Sequence, residues 1–468
     1  MPERQKQVSD ASSGHGYPSA RAAWTALALL VASVLLAYVD RQALAVLVQP
    51  IRASLGLSDT EIGLLQGPAF ALVYALAALP LGLAVDRYSR RNLIILGMGV
   101  WATSTALCGA ADGFWTLFLA RAGVGLGEAC LIPAVFSLIP DLFPPEKRAS
   151  AYGIYMATVV PGVSLSLSLA GSVLAWVDQA AAAQPWRVVF LAVSVPAPLL
   201  MLGLLLVREP ARSADAGVVA SASVSPEPIV RLGSFARANW RLLAAVGVGG
   251  SMASVAFSTW LQWLPTLLSR AYAMPPARGA LAGGLVAALS SVAGGVLAAR
   301  FSRRLRHEGL LHAEARAAVA PLAFAFIIAL AAFGTSSAGT TLGVMALQVV
   351  GPVIALTLWP VLIAASTPNR LRGRCTAFMK LTEYLLLSLS AVAVGALSDH
   401  VFNEPANFRT AVFLMVASAT AVSLLCFRSI PRLLARDPTA IRPVDTAAPP
   451  GTRPKAPAIG DHTRKLGA

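Results

Sequence analysis

Apolar runs long enough to cross a lipid bilayer recur along almost the whole chain. A bilayer core about 30 Å thick requires roughly 20 apolar residues in a helix, and twelve runs of this 468-residue sequence reach that length. They lie at 23–48, 62–86, 92–111, 115–140, 150–175, 187–207, 240–268, 279–299, 315–335, 340–365, 375–398 and 409–429. Because soluble domains do not combine 56% hydrophobic with only 13% charged residues, we predict an all-α, polytopic membrane protein.

The basic residues predict how the chain is oriented. Most of the 37 Lys and Arg fall in the two tails, the central polar segment and the loops after runs 2, 4, 8 and 10. Positive residues concentrate in cytoplasmic loops, so we expect both termini in the cytoplasm and the protein in the cell (inner) membrane. A nucleic-acid partner is not indicated, because the basic residues are scattered and no basic face is interleaved with aromatic residues.

Composition divides the chain into five parts. We predict a disordered cytoplasmic tail at 1–22, an N-terminal six-helix bundle at 23–207 and a linker rich in Pro, Ser and charge at 208–239. A C-terminal six-helix bundle follows at 240–430, and a second disordered tail at 431–468.

The two predicted bundles repeat one another. GLAVDRYSRR at 82–91 follows run 2, and GVLAARFSRR at 295–304 follows run 8. A weaker match relates PPEKRASA at 144–151, after run 4, to NRLRGRCT at 369–376, after run 10. Equivalent loops at equivalent places in two six-run halves indicate a parallel internal repeat, as in major facilitator transporters.

Two sets of motifs carry a family resemblance. GLAVDRYSRR resembles the major facilitator loop signature G-x-L-x-D-R-x-G-R-R, with Ala84 and Ser89 departing from it. The Asp-Arg pair in YVDRQALA at 38–45, and RAGVGLGEA followed by the DLFP-x-x-x-R-A exit loop within 121–155, are similar to Spinster-type transporters. This resemblance implies the major facilitator fold, a monomer, and proton-linked movement of lysolipid-like amphiphiles such as sphingosine phosphate or lysophospholipid.

Four charged residues lie inside runs 1 and 4: Asp40, Arg41, Arg121 and Glu128. A charge at mid-bilayer costs about 2.5–3.5 kcal/mol on insertion scales, so such residues usually face a cavity and mark function. Neighbours in a helix point about 100° apart, so Arg41 is not the natural partner of Asp40. Residues seven apart share a face but lie about 10.5 Å apart, so Arg121 and Glu128 do not bond either.

Depth predicts how these four charges pair. Run 1 ascends and run 4 descends, which places Asp40 and Arg121 in the outer half and Glu128 near the midplane. We expect Asp40 with Arg121, and Glu128 either with Arg41 or alone. As a functional hypothesis, Asp40 and Glu128 exchange protons while Arg41 and Arg121 hold an anionic substrate; purely structural neutralisation is the alternative. Gly123, Gly125 and Gly127 predict close helix approach, which we expect to bring runs 1 and 4 together.

The C-terminal half offers mainly aromatic candidates. Trp260, Trp263 and Trp359 are candidate substrate contacts, although Trp260 and Trp263 also fit an interfacial belt. Lys380 and Glu383 are three apart in run 11, near its inner end, and can neutralise each other. Lys380 is a candidate substrate contact and Glu383 a candidate gate residue, with a structural self-paired role as the alternative.

Further gating candidates follow from the loop signature. Asp86 stands beside Arg87, Arg90 and Arg91 at the end of run 2, and the family resemblance implies a clamp against the other half when the cytoplasmic side is shut. Arg148 and the start of run 11 near Arg374 are the candidate partners.

Three functional classes remain to be compared. A proton-coupled lysolipid transporter is the first interpretation, with protons and membrane lipids as further partners. A facilitator of small organic anions such as sugar acids or aromatic acids is the alternative, and a lipid-binding receptor that moves nothing is the alternative of another class. An enzyme is not indicated, since the sequence contains no nucleophile–base pair or nucleotide loop. No metal or other cofactor is predicted, because the four cysteines and five histidines show no ligand spacing.

Overall fold

The computed structural model describes residues 17–180, 184–212, 235–308, 312–368, 371–402 and 407–436. Twelve helical segments follow one another in these ranges. They are α1 (Ala20–Leu55), α2 (Asp59–Arg87), α3 (Arg90–Ala110), α4 (Phe114–Leu142), α5 (Pro145–Gln179), α6 (Pro185–Leu206), α7 (Trp240–Tyr272), α8 (Pro276–His307), α9 (Ala313–Ala331), α10 (Ala338–Ser366), α11 (Arg372–His400) and α12 (Phe408–Arg436).

The predicted all-α membrane fold is confirmed. Among the described residues, eleven helices are long and apolar enough to span a membrane, and α5 is the twelfth if its two parts count as one span. Those parts meet at an angle of 42° between Met156 and Pro161. Proline in a helix interior removes one hydrogen bond and clashes with the preceding turn, which accounts for a bend at Pro161.

The regular α-helical structure of α2 and α4 is interrupted near the middle of the bundle. A π-helical turn at Pro68–Leu72 interrupts α2. In α4 the first segment ends at Glu128 and the second begins at Leu131. Both breaks lie beside the charged residues that the sequence singled out, and π-helical turns are frequent at functional sites.

The two halves, α1–α6 and α7–α12, meet along two antiparallel helix pairs. Helix α2 packs on α11, and a Cβ atom on Gly63 would lie 2.5 Å from the carbonyl oxygen of Ala391. Helix α5 packs on α8, where Ser168 donates a hydrogen bond of 2.9 Å to the carbonyl of Leu281. A small residue at each contact lets the helix backbones approach closely.

These contacts identify two different ends of the bundle. We call the end that carries Asp59 and Asp399 the Asp59 end, and the opposite one, where Arg90 and Asp141 lie, the Arg90 end. Every hydrogen bond and ion pair that joins described residues of the two halves lies toward the Asp59 end or near the middle.

Parts of the predicted tails and linker lie outside the described residues. This applies to 1–16 of the N-terminal tail, 213–234 of the linker and 437–468 of the C-terminal tail. The division into bundles, linker and tails at the predicted boundaries stays a prediction.

Candidate functional site

A cavity of about 350 Å³ lies between the two halves near the middle of the bundle. Its N-terminal wall contains Arg41 and Arg121 together with the aromatic residues Tyr38 and Phe70. The C-terminal wall is formed mainly by Phe257, Leu261, Leu356, Trp359, Tyr384 and Leu387, with Lys380 and Glu383 beside them. One wall therefore carries fixed cations, and the other is largely apolar and aromatic.

The first charged pair joins α1 to the centre of α4. Arg41 Nε donates a hydrogen bond of 2.6 Å to Glu128 Oε2, whose side chain is fully buried. The other carboxylate oxygen of Glu128, Oε1, is buried without a hydrogen-bond partner among the described residues. Glu128 thus has one carboxylate oxygen without a hydrogen-bond partner among the described residues. Its partner, Arg41, lines the cavity.

The second pair joins the neighbouring residue of α1, Asp40, to Arg121, which lies two helical turns before Glu128 in α4. Arg121 Nη1 is 3.5 Å from Asp40 Oδ1, and both side chains are at least 98% buried. Thr105 on α3 donates a hydrogen bond to Asp40 Oδ2. The Nε and Nη1 groups of Arg121 donate no hydrogen bond within the described part of the chain. Arg121 therefore has donors left for a further acceptor.

This arrangement matches the pairing expected from the sequence. Asp40 faces Arg121, and Glu128 faces Arg41, which decides between the two alternatives that the sequence left open for Glu128. The roles assigned to these four residues in proton coupling and substrate binding stay predictions.

Aromatic rings surround Arg41 on the cavity side. Its guanidinium carbon lies 5.4, 4.8 and 4.9 Å from the ring centroids of Tyr38, Phe70 and Tyr74. Tyr74 in turn packs on Tyr384 of α11, with 4.9 Å between ring centroids. Cation–π contacts hold an arginine while leaving its in-plane donors available, so the rings orient Arg41 and link it to the C-terminal half.

The C-terminal wall has its own ion pair. Lys380 Nζ lies 2.7 Å from Glu383 Oε2, as the i,i+3 spacing predicts, and 4.9 Å from the ring centroid of Trp359. Ser254 donates a 2.7 Å hydrogen bond to the second oxygen of Glu383. Glu383 therefore lies in the wall of the central cavity and not at the inner end of the bundle, where the sequence analysis placed it.

Two of the three tryptophans predicted as candidate substrate contacts do not line this cavity. Trp260 and Trp263 are fully buried inside the C-terminal half, where Trp260 bonds to Gln348 at 2.8 Å and Trp263 packs against Phe408. Because they are fully buried, the alternative of an interfacial belt is also wrong for both. The cavity face of α7 instead presents Ser254, Phe257, Ser258 and Leu261, which recur at helical spacing.

The glycines of α4 were predicted to approach α1, and this is wrong. A Cβ atom on Gly125 would lie 2.7 Å from the Phe70 carbonyl oxygen of α2. On Gly123 and Gly127 it would meet Ser104 and the Trp101 backbone of α3. The prediction of close approach holds, but the partners are α2 and α3, since Glu128 occupies the face of α4 that turns toward α1.

Arg90 does not act as a free gate residue in this structure. It is 1% exposed and pairs with Asp141 of α4, and its Nε lies 3.0 Å from Glu209 Oε1 just after α6. The neighbouring Arg91 donates to the Val207 carbonyl at 3.0 Å. Both arginines join α3, α4 and the end of α6 within the N-terminal half.

The predicted clamp of Asp86 is not formed here. The carboxylate of Asp86 is exposed and has no ion pair within the described ranges, and only its backbone carbonyl accepts a bond, from Arg212. Arg148 is bound to the Phe143 carbonyl and to Tyr17, both in its own half. Arg87 and Arg374 are exposed. The clamp therefore stays a prediction for another conformation.

A charged cluster at the Asp59 end was missed by sequence reasoning. Arg270 of α7 donates two hydrogen bonds of 2.6 Å to the carboxylate of Asp59 at the start of α2. Ser398 donates a third, also of 2.6 Å, and Arg52 lies 3.4 Å away. Each of these residues stands at a helix end, where charged and polar residues are ordinary. Nothing in the sequence pairs Asp59 with a residue some 200 positions away.

The comparisons with known proteins place this chain in a family. The family model of the Major Facilitator Superfamily matches residues 30–391. Since that match covers most of the sequence, the chain belongs to the Major Facilitator Superfamily.

The chain is also similar in sequence to individual curated proteins. The chain is 30% identical over 255 residues to the probable L-galactonate transporter of Escherichia coli (strain K12), covering 53% of this chain and 54% of that protein. It is 30% identical over 295 residues to protein spinster homolog 1 of Homo sapiens, covering 58% of this chain and 53% of that protein. The chain thus spans about half the length of the curated relatives it matches.

A solved structure shows the same fold. It is a bacterial homolog of the human lysosomal transporter Spinster in an inward-facing, unoccupied conformation. The two chains are 21% identical, the TM-score is 0.76, and the match covers 90% of this chain and 99% of that one. The Spinster-like resemblance inferred from the first and fourth helices is confirmed.

Proposed function

We propose that this chain is a secondary active transporter that moves an organic anion by alternating access, and that Arg41 and Arg121 bind the anionic group. The observation that carries this proposal is the pairing of two arginines with two buried carboxylates in the wall of a cavity between the halves. Ionisable groups inside a membrane bundle usually mark a substrate or ion pathway.

The first candidate substrate is a lysolipid-like amphiphile of the sphingosine phosphate or lysophospholipid class. A cationic wall suits its headgroup, and the apolar wall formed by Phe257, Leu261, Leu356 and Leu387 suits its tail. Trp359 and Lys380 lie where the two kinds of surface meet, and both are proposed substrate contacts. The similarity to the human spinster homolog supports this candidate.

The second candidate is a small hydroxylated acid of the sugar-acid type. Two observations favour it: the similarity to the probable L-galactonate transporter, and the presence of Gln42, Gln66 and Gln262 in the cavity wall. Amide groups pair with hydroxyls, which a lipid tail lacks. Both candidates share an anionic group, so Arg41 and Arg121 have the same role in each.

Proton coupling is proposed to occur at Asp40 and Glu128. An incoming anion competes with Glu128 for Arg41 and with Asp40 for Arg121. Protonating a carboxylate releases its arginine, so the protonated and ionised states differ in affinity for the anion, which is what coupling requires. Glu128 Oε1, which has no hydrogen-bond partner among the described residues, is where a proton can add without breaking a hydrogen bond seen there.

We propose that the protein lies in the cell (inner) membrane with its Arg90 end facing the cytoplasm. The hydrogen bonds and ion pairs between described residues of the two halves lie toward the Asp59 end or near the middle, and the solved structure with a TM-score of 0.76 is inward-facing. We therefore propose that the present conformation is inward-facing and that the protein works as a monomer. Cysteines at Gly113 and Ala338 are then expected to react with an impermeant reagent outside the cell, whereas one at Tyr88 is protected.

Uptake into proteoliposomes tests the function directly. Labelled lysophosphatidic acid, sphingosine 1-phosphate and galactonate are each offered with and without a pH gradient. We expect gradient-driven uptake of at least one of them. No gradient-driven uptake of any of the three would contradict the proposal, and binding without uptake would favour a receptor.

Variants of the two pairs test the assigned roles. Glu128→Gln and Asp40→Asn are expected to abolish the pH-driven component and retain substrate binding. Arg41→Ala is expected to weaken binding at least tenfold, because it also strands a buried carboxylate, and adding Glu128→Gln should restore part of that loss. The matched control is Arg304→Ala, since Arg304 is exposed and its one ion pair among the described residues is with Glu308, four positions along the same helix. Full gradient-driven transport by both acid variants would make the pairs structural.

A further inference from the structure

Gln66 is a buried amide in the cavity wall that nothing in the described structure satisfies. It is 8% exposed and lines the cavity. Neither its Nε2 nor its Oε1 has a hydrogen-bond partner among the described residues. Buried polar groups are nearly always paired in folded proteins, so an amide with both ends unused indicates a missing partner. Because the side chain borders the cavity, a molecule in that cavity can supply it.

The backbone holds Gln66 rigidly at this position. Gln66 ends the first part of α2, and Gly67 and the π-helical turn Pro68–Leu72 follow at once. A Cβ atom on Gly67 would lie 2.4 Å from the carbonyl oxygen of Ser388 in α11, so only glycine allows this approach of the two halves. The irregular turn is thus fixed against the opposite half, and Gln66 cannot withdraw from the cavity by a simple helix shift.

The position of Gln66 relative to Arg41 and Arg121 indicates which part of a bound anion lies next to its side chain. Phe70 is the next cavity-lining residue one turn along α2, and its ring lies 4.8 Å from the guanidinium of Arg41 and 5.2 Å from that of Arg121. An anion held by those two arginines lies beside Phe70. The atoms next to the anionic group then lie toward Gln66.

We propose that Gln66 binds a hydroxyl or amine adjacent to the anionic group of the substrate. This deepens the proposed function and rests on it. Oε1 accepts from the O–H or N–H of that group, and Nε2 donates to a hydroxyl or to an oxygen of the anion. The substrate class is therefore an anion with a neighbouring hydrogen-bonding substituent, as in a lysophospholipid, a sphingoid phosphate or a sugar acid. Anions without that substituent, such as simple fatty acids and alkyl phosphates, are poor substrates.

Two matched pairs of probes test this inference in proteoliposomes. The first pair is lysophosphatidic acid and its 2-deoxy analogue, and the second is galactonate and its 2-deoxy analogue. We expect the wild-type protein to prefer the hydroxylated member of the transported pair by about tenfold or more, because a site built for a hydroxyl rejects the analogue that lacks it. Gln66→Met, which keeps the length of the side chain and removes both polar atoms, should bring that ratio close to one by slowing only the hydroxylated probe.

Controls separate binding from folding. Gln184→Met makes the same change at an exposed residue just before α6 and should leave the ratio as in the wild-type protein. If Gln66→Met does not fold, Gln66→Asn, whose amide is one methylene further from the substrate, must lower the ratio. A variant of Gln66 that transports with the wild-type ratio would overturn this inference alone. No uptake of any of the four probes by the wild-type protein would overturn the proposed function and this inference together.

Discussion

The Asp59 end and the Arg90 end of the bundle hold their charged residues in opposite ways. At the Asp59 end, Arg270 of the C-terminal half binds Asp59 of the N-terminal half with two bonds of 2.6 Å. At the Arg90 end, Arg90 binds Asp141 and Glu209, all within the N-terminal half. Charged groups therefore join the two halves at one end and stabilise a single half at the other.

At the Asp59 end, a helix cap and a glycine contact also join the two halves. Asp399 of α11 accepts bonds from the amides of Asp59 and Thr60, at 3.1 and 2.7 Å, and so caps a helix of the other half. A Cβ atom on Gly395 would lie 2.1 Å from the Asp59 carbonyl oxygen. The packing of α2 on α11 is therefore tightest next to the ion pair.

The difference between the two ends defines where a conformational change has to act. Opening at the Asp59 end must separate a buried ion pair and a close backbone contact together. The free energy of the closed state is thus concentrated in few residues, and Asp59 contacts most of them.

Asp59→Asn is expected to have the largest effect. It leaves Arg270 buried without its partner, and removing one partner of a buried pair costs about 3–5 kcal/mol. The population should therefore shift toward a state open at the Asp59 end. Distances between spin labels at Ser54 and Arg278 should lengthen in the variant. The control is Glu308→Gln, which breaks an exposed pair, and an unchanged distance distribution in Asp59→Asn would show that the ion pair does not hold the halves together.

Gly67→Ala should act on the same equilibrium through packing. The added methyl group meets the Ser388 carbonyl, and overpacking of this kind costs about 1–3 kcal/mol. We expect the same lengthening between the labels, by a smaller shift in population. Gly82→Ala lies in the same helix, where a Cβ atom meets nothing within 4 Å, and should leave the distances unchanged. Equal behaviour of the two variants would contradict the account given for α2 and α11.

Glu209→Ala is expected to lower stability without moving the halves. Burial by itself raises the pKa of Glu209, but hydrogen bonds from Ser89 and from Arg90 and Arg91 outweigh it and hold that pKa below the ordinary value of 4.5. A group with a lowered pKa contributes its stability above the unfolded-state pKa and loses it as the pH falls through the folded-state pKa. The loss of a carboxylate at the start of α3 should cost about 1 kcal/mol.

Thermal unfolding of the purified protein measures this effect. The wild-type protein should lose stability as the pH falls below about 4.5, and the Glu209→Ala variant should show a smaller loss over that window. The label distances between Ser54 and Arg278 should not change in the variant at pH 7. A shift of those distances would mean that the cluster at the Arg90 end also controls the halves.

Asp86→Asn is expected to have the smallest effect. The Asp86 carboxylate has no ion pair among the described residues in this conformation, so thermal stability should stay as in the wild-type protein. If Asp86 forms a clamp when the Arg90 end closes, its loss removes about 0.2–1 kcal/mol from that state and slows transport. Labels at Tyr88 and Arg303 should then show a smaller closed population, and an unchanged population together with unchanged transport would exclude the clamp.

Much of the candidate site followed from the sequence because helix geometry is regular. The rise per residue and the alternating direction of the spans predict Asp40 opposite Arg121 and leave Glu128 either with Arg41 or alone, and the structure contains both pairs. The i,i+3 pair of Lys380 and Glu383 follows from one helix alone. Such predictions need only the distance along a helix and the membrane as a common reference.

The sequence did not predict how each helix is rotated about its axis, or which residues far apart in the chain form pairs. Trp260 and Trp263 were expected at the cavity, but the rotation of α7 about its own axis turns them into the C-terminal half. The Asp59 cluster joins α1, α2, α7 and α11, and no local pattern links these helices. The sequence gives no signal for Gln66, because a single glutamine in an apolar run is ordinary. Only the structure places both of its amide atoms in a buried position without a partner among the described residues.

The amino-acid sequence alone determined the all-α membrane class of fold and showed that charged residues lie inside the first and fourth spans. These properties depend on apolar run length, on helix rise and on the energetic penalty of charge in lipid, all of which are local or periodic. Only the tertiary structure decided which face each helix turns to the cavity and which end of the bundle is closed. Those properties depend on side-chain packing between helices far apart in sequence, where a rotation of a few tens of degrees moves a residue from the cavity into the core.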